Sequence, residues 1–180
     1  MAFGIKYSNR MNDNNRQSGI LLHPTALPGP YGMGDIGPSA YDFIDNLADM
    51  GQTLWQFLPI GPTDIHNSPY SSISTFAGNH ILISLDLLVK DGLLDSKHLK
   101  NHVTFNEKII DFEKVITFKM SMLRLVCNNF IENASINIKK SFDEFCVDNF
   151  YWLDEYSKYW ALKKENDIVA RKKMILLGMA

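Results

Sequence analysis

The 180-residue sequence has no long apolar run, no strong excess of either charge and only two cysteines. The formal net charge is −2 and no long stretch is basic, which argues against nucleic acid or an anionic membrane as the main partner. No apolar run is long enough to span a bilayer, and residues 1–18 are polar, without the apolar segment of a signal peptide. We therefore expect a cytoplasmic protein that binds neither nucleic acid nor membrane.

The two cysteines, Cys127 and Cys146, lie in apolar stretches with helical spacing. Nothing around them has the spacing of metal ligands, so we expect both thiols to be reduced and buried. With 46% hydrophobic and 21% charged residues, the chain has the composition of a globular protein with one good core.

The first half of the chain has the pattern of a parallel α/β protein. Residues 1–18, rich in Asn and Arg, are predicted to be a disordered lead-in. The apolar run 19–23 predicts a short buried strand, and Pro38 begins a helical pattern that Gly51 ends. Residues 53–60 are β-branched, aromatic and leucine-rich, as expected of a strand covered on both faces. This order predicts a right-handed βαβ unit.

The second half has helical periodicity. After a third short extended segment at 81–85, apolar residues recur at helical spacing over 107–131 and again over 141–165. These segments predict two helices that pack together, with residues 133–140 as their connection. One face of the second helix is assigned to the core rather than to a ligand site: Phe142, Phe145, Cys146, Asn149, Leu153, Tyr156 and Trp160.

A glycine pattern lies between the first strand and the first helix. Gly32, Gly34 and Gly37 match the Gly-x-Gly-x-x-Gly motif of dinucleotide-binding proteins. Three prolines separate the strand from these glycines, and Pro38 removes a backbone N–H from the helix start that would bind phosphate. We therefore interpret the glycines as a wide turn with unusual backbone angles, and Asp35 as a carboxylate that stabilises the turn locally.

The loop 61–79, directly after the second predicted strand, is rich in hydroxyls and amides. It also carries Tyr70, which directly follows Pro69. A loop of this composition suits a flat polyhydroxylated ligand such as a sugar. Trp55 and Gln56, inside the strand, are assigned to the core. Two histidines are expected to be structural or solvated rather than functional, namely His23 and His66.

Four linked motifs, at residues 18–37, 55–63, 67–71 and 76–79, together resemble the start of the 4-α-glucanotransferases, also called amylomaltases or disproportionating enzymes. The similarity continues into the second predicted helix and extends to about residue 165. Ile65, Ser71 and His80 depart from the residues that are common at these positions in the family.

The resemblance implies an α/β fold, the N-terminal part of a (β/α)₈ TIM barrel at 19–85, followed by a helical subdomain at 86–180. It implies an enzyme that cleaves α-1,4-glucans and passes the released unit to an acceptor sugar such as glucose by a retaining mechanism, with no cofactor and no metal. Ser68 and Tyr70 would bind the donor maltooligosaccharide. From the residues alone, a Tyr70 ring that plugs the barrel mouth is an equally good interpretation.

The resemblance places the family's catalytic carboxylates downstream of this chain, so no catalytic residue is assigned. Residues 167–180 no longer resemble the family, which suggests truncation, a frameshift or a split gene. We expect an incomplete barrel and a fragment that is inactive alone. The alternatives are a non-catalytic glucan-binding or interaction module, or a partly folded remnant without function.

Overall fold

A computed structural model describes residues 17–100 and 104–176 of the chain. Two short strands and six helices follow one another, with a 3₁₀ turn after the first strand and another before the second helix. The strands are β1 (Gly19–Leu21) and β2 (Leu54–Gln56), and the 3₁₀ turns are Pro24–Ala26 and His80–Leu82. The helices are α1 (Pro38–Asp49), α2 (Leu85–Lys90), α3 (Lys97–Lys100), α4 (Phe112–Asn133), α5 (Ile136–Asp148) and α6 (Phe150–Leu176).

The predicted parallel pair, joined by a helix, is confirmed. β1 and β2 pair in parallel, with Ile20 opposite Trp55. Pro38 stands in the first turn of α1, and Gly51, with a φ of 70°, follows its end. The helix packs on the sheet through the ring of Phe43, which meets Trp55 edge-on at 5.0 Å between centroids. Because the strands are parallel, the loops after them leave from the same edge of the sheet.

The strands are shorter and more exposed than predicted. All three residues of β1 are exposed, and in β2 only Trp55 is half-buried. In the described part of the chain each strand has a single neighbour, so each keeps an open edge. A central parallel strand is buried only when neighbours and helices cover it on every side. The prediction of buried strands is therefore wrong for the structure of these residues.

The third extended segment, predicted at 81–85, is also wrong. The side chain of Asn79 accepts a hydrogen bond from the Ile81 N–H and caps a 3₁₀ turn there, and Leu85 begins α2. A polar side chain that satisfies the backbone locally favours such a turn over a strand. Ile81 and Leu85 are both buried, so these apolar residues pack in the core and do not pair in a sheet.

The long helical segments have different boundaries from those predicted. α4 begins at Phe112, where the Asp111 side chain accepts a hydrogen bond from the Lys114 N–H. The single helix predicted over 141–165 is two helices, α5 and α6, and Asn149 lies between them outside both. The predicted packing of these segments is confirmed, since the rings of Phe130 and Phe142 lie 5.1 Å apart.

The core lies beside the sheet rather than on it. One cluster groups Tyr31 and Leu94 with α2 and α4, and a second groups Met33 with the 3₁₀ turn His80–Leu82 and α4. From α4, Val115 and Phe118 enter these clusters. Full burial of such a side chain stabilises a fold by about 1.5–3 kcal/mol. The loop after β1 is therefore held by α2 and α4.

Some predictions concern residues that the structure describes only in part. The lead-in over residues 1–18 lies largely outside the described residues, although the Ser18 carbonyl accepts a hydrogen bond from the Thr53 N–H. Residues 177–180, the end of the tail predicted at 167–180, are outside them as well. Both cysteines are free thiols, but Cys127 is exposed and Cys146 is half-buried, so the prediction of buried thiols is wrong. No helix within the described residues is long and apolar enough to cross a membrane.

Candidate functional site

The loop after β2 folds back on itself and carries a tight turn at its tip. Thr63 and Ser72 form an isolated antiparallel bridge at its base. The Ser71 N–H donates to the carbonyl of Ser68 at 3.0 Å and closes a four-residue turn with Pro69 and Tyr70 in the middle. Proline suits the second position of such a turn because its φ is already fixed near the required value. The turn therefore presents Tyr70 at the tip of the loop.

A second turn precedes this tip. The Asn67 N–H donates to the Asp64 carbonyl at 3.2 Å, and the His66 N–H donates to Asp64 Oδ1 at 2.9 Å. Asn67 adopts a φ of 56°, a left-handed conformation that asparagine tolerates better than most residues. These local bonds order the approach to Ser68.

The structure places Ser68 and Tyr70 together in one turn. Ser68 is half-buried, whereas Tyr70 is 75% exposed. A ring with this exposure has a face open to a ligand, and an exposed aromatic side chain with a polar tip suits a partner that is both apolar and hydroxylated. Binding of a sugar by these two side chains stays a prediction.

A cleft of about 720 Å³ lies beside the turn. Its walls are residues 59–61 and residues 72–78, and no charged side chain is among them. The Ser74 hydroxyl accepts hydrogen bonds from the backbone N–H groups of Phe76 and Ala77 at 3.3 and 3.1 Å, which shapes one wall. Hydroxyls, backbone groups and one ring make this cleft suitable for a neutral ligand. Ser68 and Tyr70 are not among its lining residues.

The helix α6 supports this wall. The ring of Phe76 meets Tyr151 edge-on at 5.4 Å and stacks on Trp152 at 6.1 Å. The indole N–H of Trp152 donates to Asn149 Oδ1 at 2.9 Å, which fixes the ring. The second half of the chain therefore contributes to the site, in a way that the prediction of a helical core face did not include.

A buried lysine on α4 joins the loop after β1 to the end of the loop after β2. Asp35 lies 2.9 Å from the ammonium of Lys119, which also donates to the carbonyls of Ile81 and Ile83. The prediction that Asp35 acts only within its own turn is therefore wrong, because its partner lies on α4. Burial raises the pKa of Asp35, and the neighbouring ammonium opposes this shift. Sequence offered one signal, a lysine on the apolar face of α4 beside Phe118.

Comparison with known proteins decides the family. The family model described as 4-alpha-glucanotransferase matches residues 22–174, so the prediction that the resemblance ends before residue 167 is wrong for residues 167–174. The chain belongs to this family. It is 41% identical over 154 residues to a 4-alpha-glucanotransferase of Synechocystis sp., with 86% of this chain and 30% of the relative covered. A 4-alpha-glucanotransferase of Aquifex aeolicus is 40% identical over 152 residues, with 83% and 30% covered.

A solved structure agrees with this assignment. The amylomaltase from Streptococcus agalactiae, determined in complex with acarbose, matches with a TM-score of 0.78 and 30% sequence identity. The match covers 84% of this chain and 30% of that one. The chain thus spans about 30% of the length of these 4-alpha-glucanotransferases.

The other residues that the sequence analysis singled out have structural surroundings. The indole N–H of Trp55 donates to the Leu22 carbonyl at 2.8 Å, as expected of a packed side chain, whereas Gln56 is exposed and its assignment to the core is wrong. His23 Nδ1 lies 2.8 Å from the Thr25 hydroxyl and caps a 3₁₀ turn, and burial lowers the His23 pKa. His66 is exposed.

Of the glycines, Gly32 has the unusual backbone angle predicted for this turn, with a φ of 84°. Within the described residues there is no group of three or more His, Cys, Asp or Glu side chains arranged to hold a metal ion.

Proposed function

We propose that this chain is the first part of the (β/α)₈ barrel of a 4-alpha-glucanotransferase, which transfers a segment of an α-1,4-glucan to the 4-position of an acceptor sugar. The family match over residues 22–174 is the observation that carries the proposal. It is supported by the parallel pair β1 and β2, with a loop of hydroxyl-rich sequence leaving the carboxyl end of β2. Barrel enzymes place their sites on such loops.

The proposed chemistry is a retaining double displacement. In the first step the glycosidic bond of the donor breaks, its anomeric carbon bonds to an enzyme carboxylate, and the departing sugar takes a proton. In the second step the acceptor 4-hydroxyl replaces that carboxylate and gives up its proton. The carboxylates for both steps belong to the part of the family that this chain does not span. We therefore expect the 180-residue chain alone to bind without turnover.

In this proposal, Ser68 and Tyr70 bind the donor glucan. The exposed Tyr70 ring lies against the apolar face of a pyranose, and the Ser68 hydroxyl hydrogen-bonds to a sugar hydroxyl. The partners are maltooligosaccharides and longer α-1,4-glucans, with glucose as an acceptor. The free thiols Cys127 and Cys146 agree with a reducing compartment, and we propose a cytoplasmic location.

The test is isothermal titration calorimetry, in which maltoheptaose is added to the chain and the heat of binding is measured. We expect binding that Tyr70→Ala weakens at least about tenfold, a change of about 1.4 kcal/mol. Ser68→Ala should weaken binding less, because a neutral hydrogen bond contributes only about 1 kcal/mol. Tyr159→Ala is the control, a tyrosine on α6 that is 46% exposed and is not part of the turn. An equal loss in Tyr159→Ala, or no effect of Tyr70→Ala, would contradict the proposed site.

The same samples distinguish the alternatives. Binding without transfer between maltooligosaccharides agrees with both the first part of an enzyme and a glucan-binding module. A fusion of this chain to the remaining part of a family member distinguishes them. If the fusion transfers glucan segments, the chain is part of an enzyme and not a binding module. Transfer by the 180-residue chain alone would show that our assignment of the carboxylates is wrong.

A further inference from the structure

Lys119 is a fully buried lysine, with 0% of its side chain exposed. Its ammonium donates to the Ile81 carbonyl at 2.7 Å, to the Ile83 carbonyl at 3.1 Å and to Asp35 Oδ2 at 2.9 Å. An ammonium has three N–H donors, so these contacts satisfy all of them. Two of the three acceptors are backbone carbonyls, so these bonds hold the backbone at residues 81–83 and not only a side chain.

The acceptors of Lys119 belong to two different loops. Asp35 lies on the loop after β1, whereas Ile81 and Ile83 lie where the long loop after β2 ends. Between them, the Ile36 N–H donates to the Leu82 carbonyl at 3.0 Å. Both loops leave the carboxyl ends of parallel strands, the edge at which α/β proteins hold their ligands. From α4, Lys119 therefore joins the loop after β1 to the end of the loop that carries the candidate site.

A buried charge is a costly way to hold a fold together. Removing an ammonium from water carries a penalty of several kcal/mol, and well-packed apolar residues in place of a buried ion pair are often neutral or stabilising. Desolvation accordingly lowers the pKa of Lys119, against the opposing effect of Asp35. Packing alone does not require a lysine here. What an apolar side chain cannot provide is three directed hydrogen bonds that fix one arrangement of the loops.

We infer that Lys119 is a positioning residue, which sets the loop after β1 against the loop after β2 and thereby orients Ser68 and Tyr70 toward an α-1,4-glucan. The sugar in this inference rests on the proposed function, whereas the coupling of the loops does not. Two readouts therefore test it, one without sugar and one with it.

The first readout is native-state amide exchange of the chain carrying Lys119→Met, which keeps the side-chain length and removes the donors. We expect the amides of Ile36 and Asn79, which bond to the carbonyls of Leu82 and Ile60, to exchange at least about tenfold faster. The Leu22 amide, which bonds across the sheet to Gln56, should keep its rate. Lys114→Met is the control, because this lysine is on the same helix and donates instead to the Thr104 carbonyl.

A double variant separates positioning from simple charge balance. Lys119→Met with Asp35→Asn removes the unpaired carboxylate, so most of the lost stability should return. The carbonyls of Ile81 and Ile83 still lack their donor, and we expect the Ile36 amide to keep exchanging fast. Return of this amide to the wild-type rate would overturn the inference. Loss of folding by both variants would overturn it too, because Lys119 would then hold the whole fold.

The second readout is the affinity for maltoheptaose. Lys119→Met should weaken binding about tenfold, through the displaced turn. Tyr70→Ala should weaken binding with the Ile36 amide unchanged, since it removes a contact and leaves the loops coupled. Fast exchange with normal affinity would refute orientation of the turn by Lys119. If the wild-type chain does not bind maltoheptaose, the proposed function fails for this chain, and the exchange data still decide whether Lys119 couples the loops.

Discussion

The ring of Phe76 stacks on the ring of Trp152, with 6.1 Å between centroids and 23° between planes. Phe76 belongs to the loop that walls the candidate cleft, and Trp152 belongs to the first turn of α6. Tyr151 adds an edge-on contact at 5.4 Å. The position of the site loop therefore depends on a helix from the other end of the chain.

Removal of the Trp152 ring should loosen this wall. Truncation of a fully buried tryptophan costs about 3–5 kcal/mol, and because Trp152 is half-buried we expect Trp152→Ala to cost about 2 kcal/mol. Urea unfolding followed by circular dichroism measures the change. Phe150→Ala is the control, since that ring is 74% exposed and its loss should stay within about 0.5 kcal/mol. Equal losses in both variants would show that the stacked pair contributes nothing.

A side chain at Gly37 should be poorly tolerated. A Cβ there would overlap with the hydroxyl of Ser84 and the carboxylate of Asp35. Ser84 is only 4% exposed, so it has little room to move away. Because overpacking typically costs about 1–3 kcal/mol, we expect Gly37→Ala to lower the free energy of unfolding by that amount. Thermal unfolding of both variants measures the change, and Gly78→Ala, where a Cβ would meet open space, should be neutral or slightly stabilising.

The elements that sequence predicted well have local causes. The apolar spacing of α1, with Pro38 at its start and Gly51 after its end, needs nothing from elsewhere in the chain. The order of strand, helix and strand follows from the same local signals. The burial of the strands does not, because it depends on neighbouring strands and helices. The break at Asn149 was missed because apolar spacing continues on both sides of it.

The candidate site was predicted only in its outline. Ser68 and Tyr70 share a turn because Pro69 and the surrounding polar residues favour one locally. The contacts that hold the rest of this loop are not local. Lys119 bonds to backbone carbonyls, and a pattern of side chains carries no information about which carbonyls lie within reach. The sequence likewise does not show that Phe76 and Trp152 contact each other, because nothing distinguishes them from other aromatic residues of the chain.

Protonation of His80 should destabilise the fold. Burial, followed by the nearby Lys119 ammonium, lowers the His80 pKa from its ordinary value of 6.5. The folded state therefore favours the neutral ring, and its contribution to stability is present above the unfolded pKa and is lost as the pH falls through the folded pKa. We expect the free energy of unfolding to decline from about pH 7 to about pH 5, and His80→Gln to reduce this decline. His66→Gln, at an exposed histidine, should leave the decline unchanged.

The open edges of the sheet should make the chain associate. Leu54 on β2 is 49% exposed and Leu21 on β1 is 59% exposed, beside unpaired backbone groups of the described strands. An apolar strand edge of this kind is a template for pairing with another chain, and a lysine on the edge opposes such pairing. Leu54→Lys should therefore reduce light scattering as protein concentration rises. Ile65→Lys, at an 81% exposed position on the loop after β2, adds the same charge away from the sheet. An equal reduction by both variants would mean that net charge, and not the strand edge, controls association.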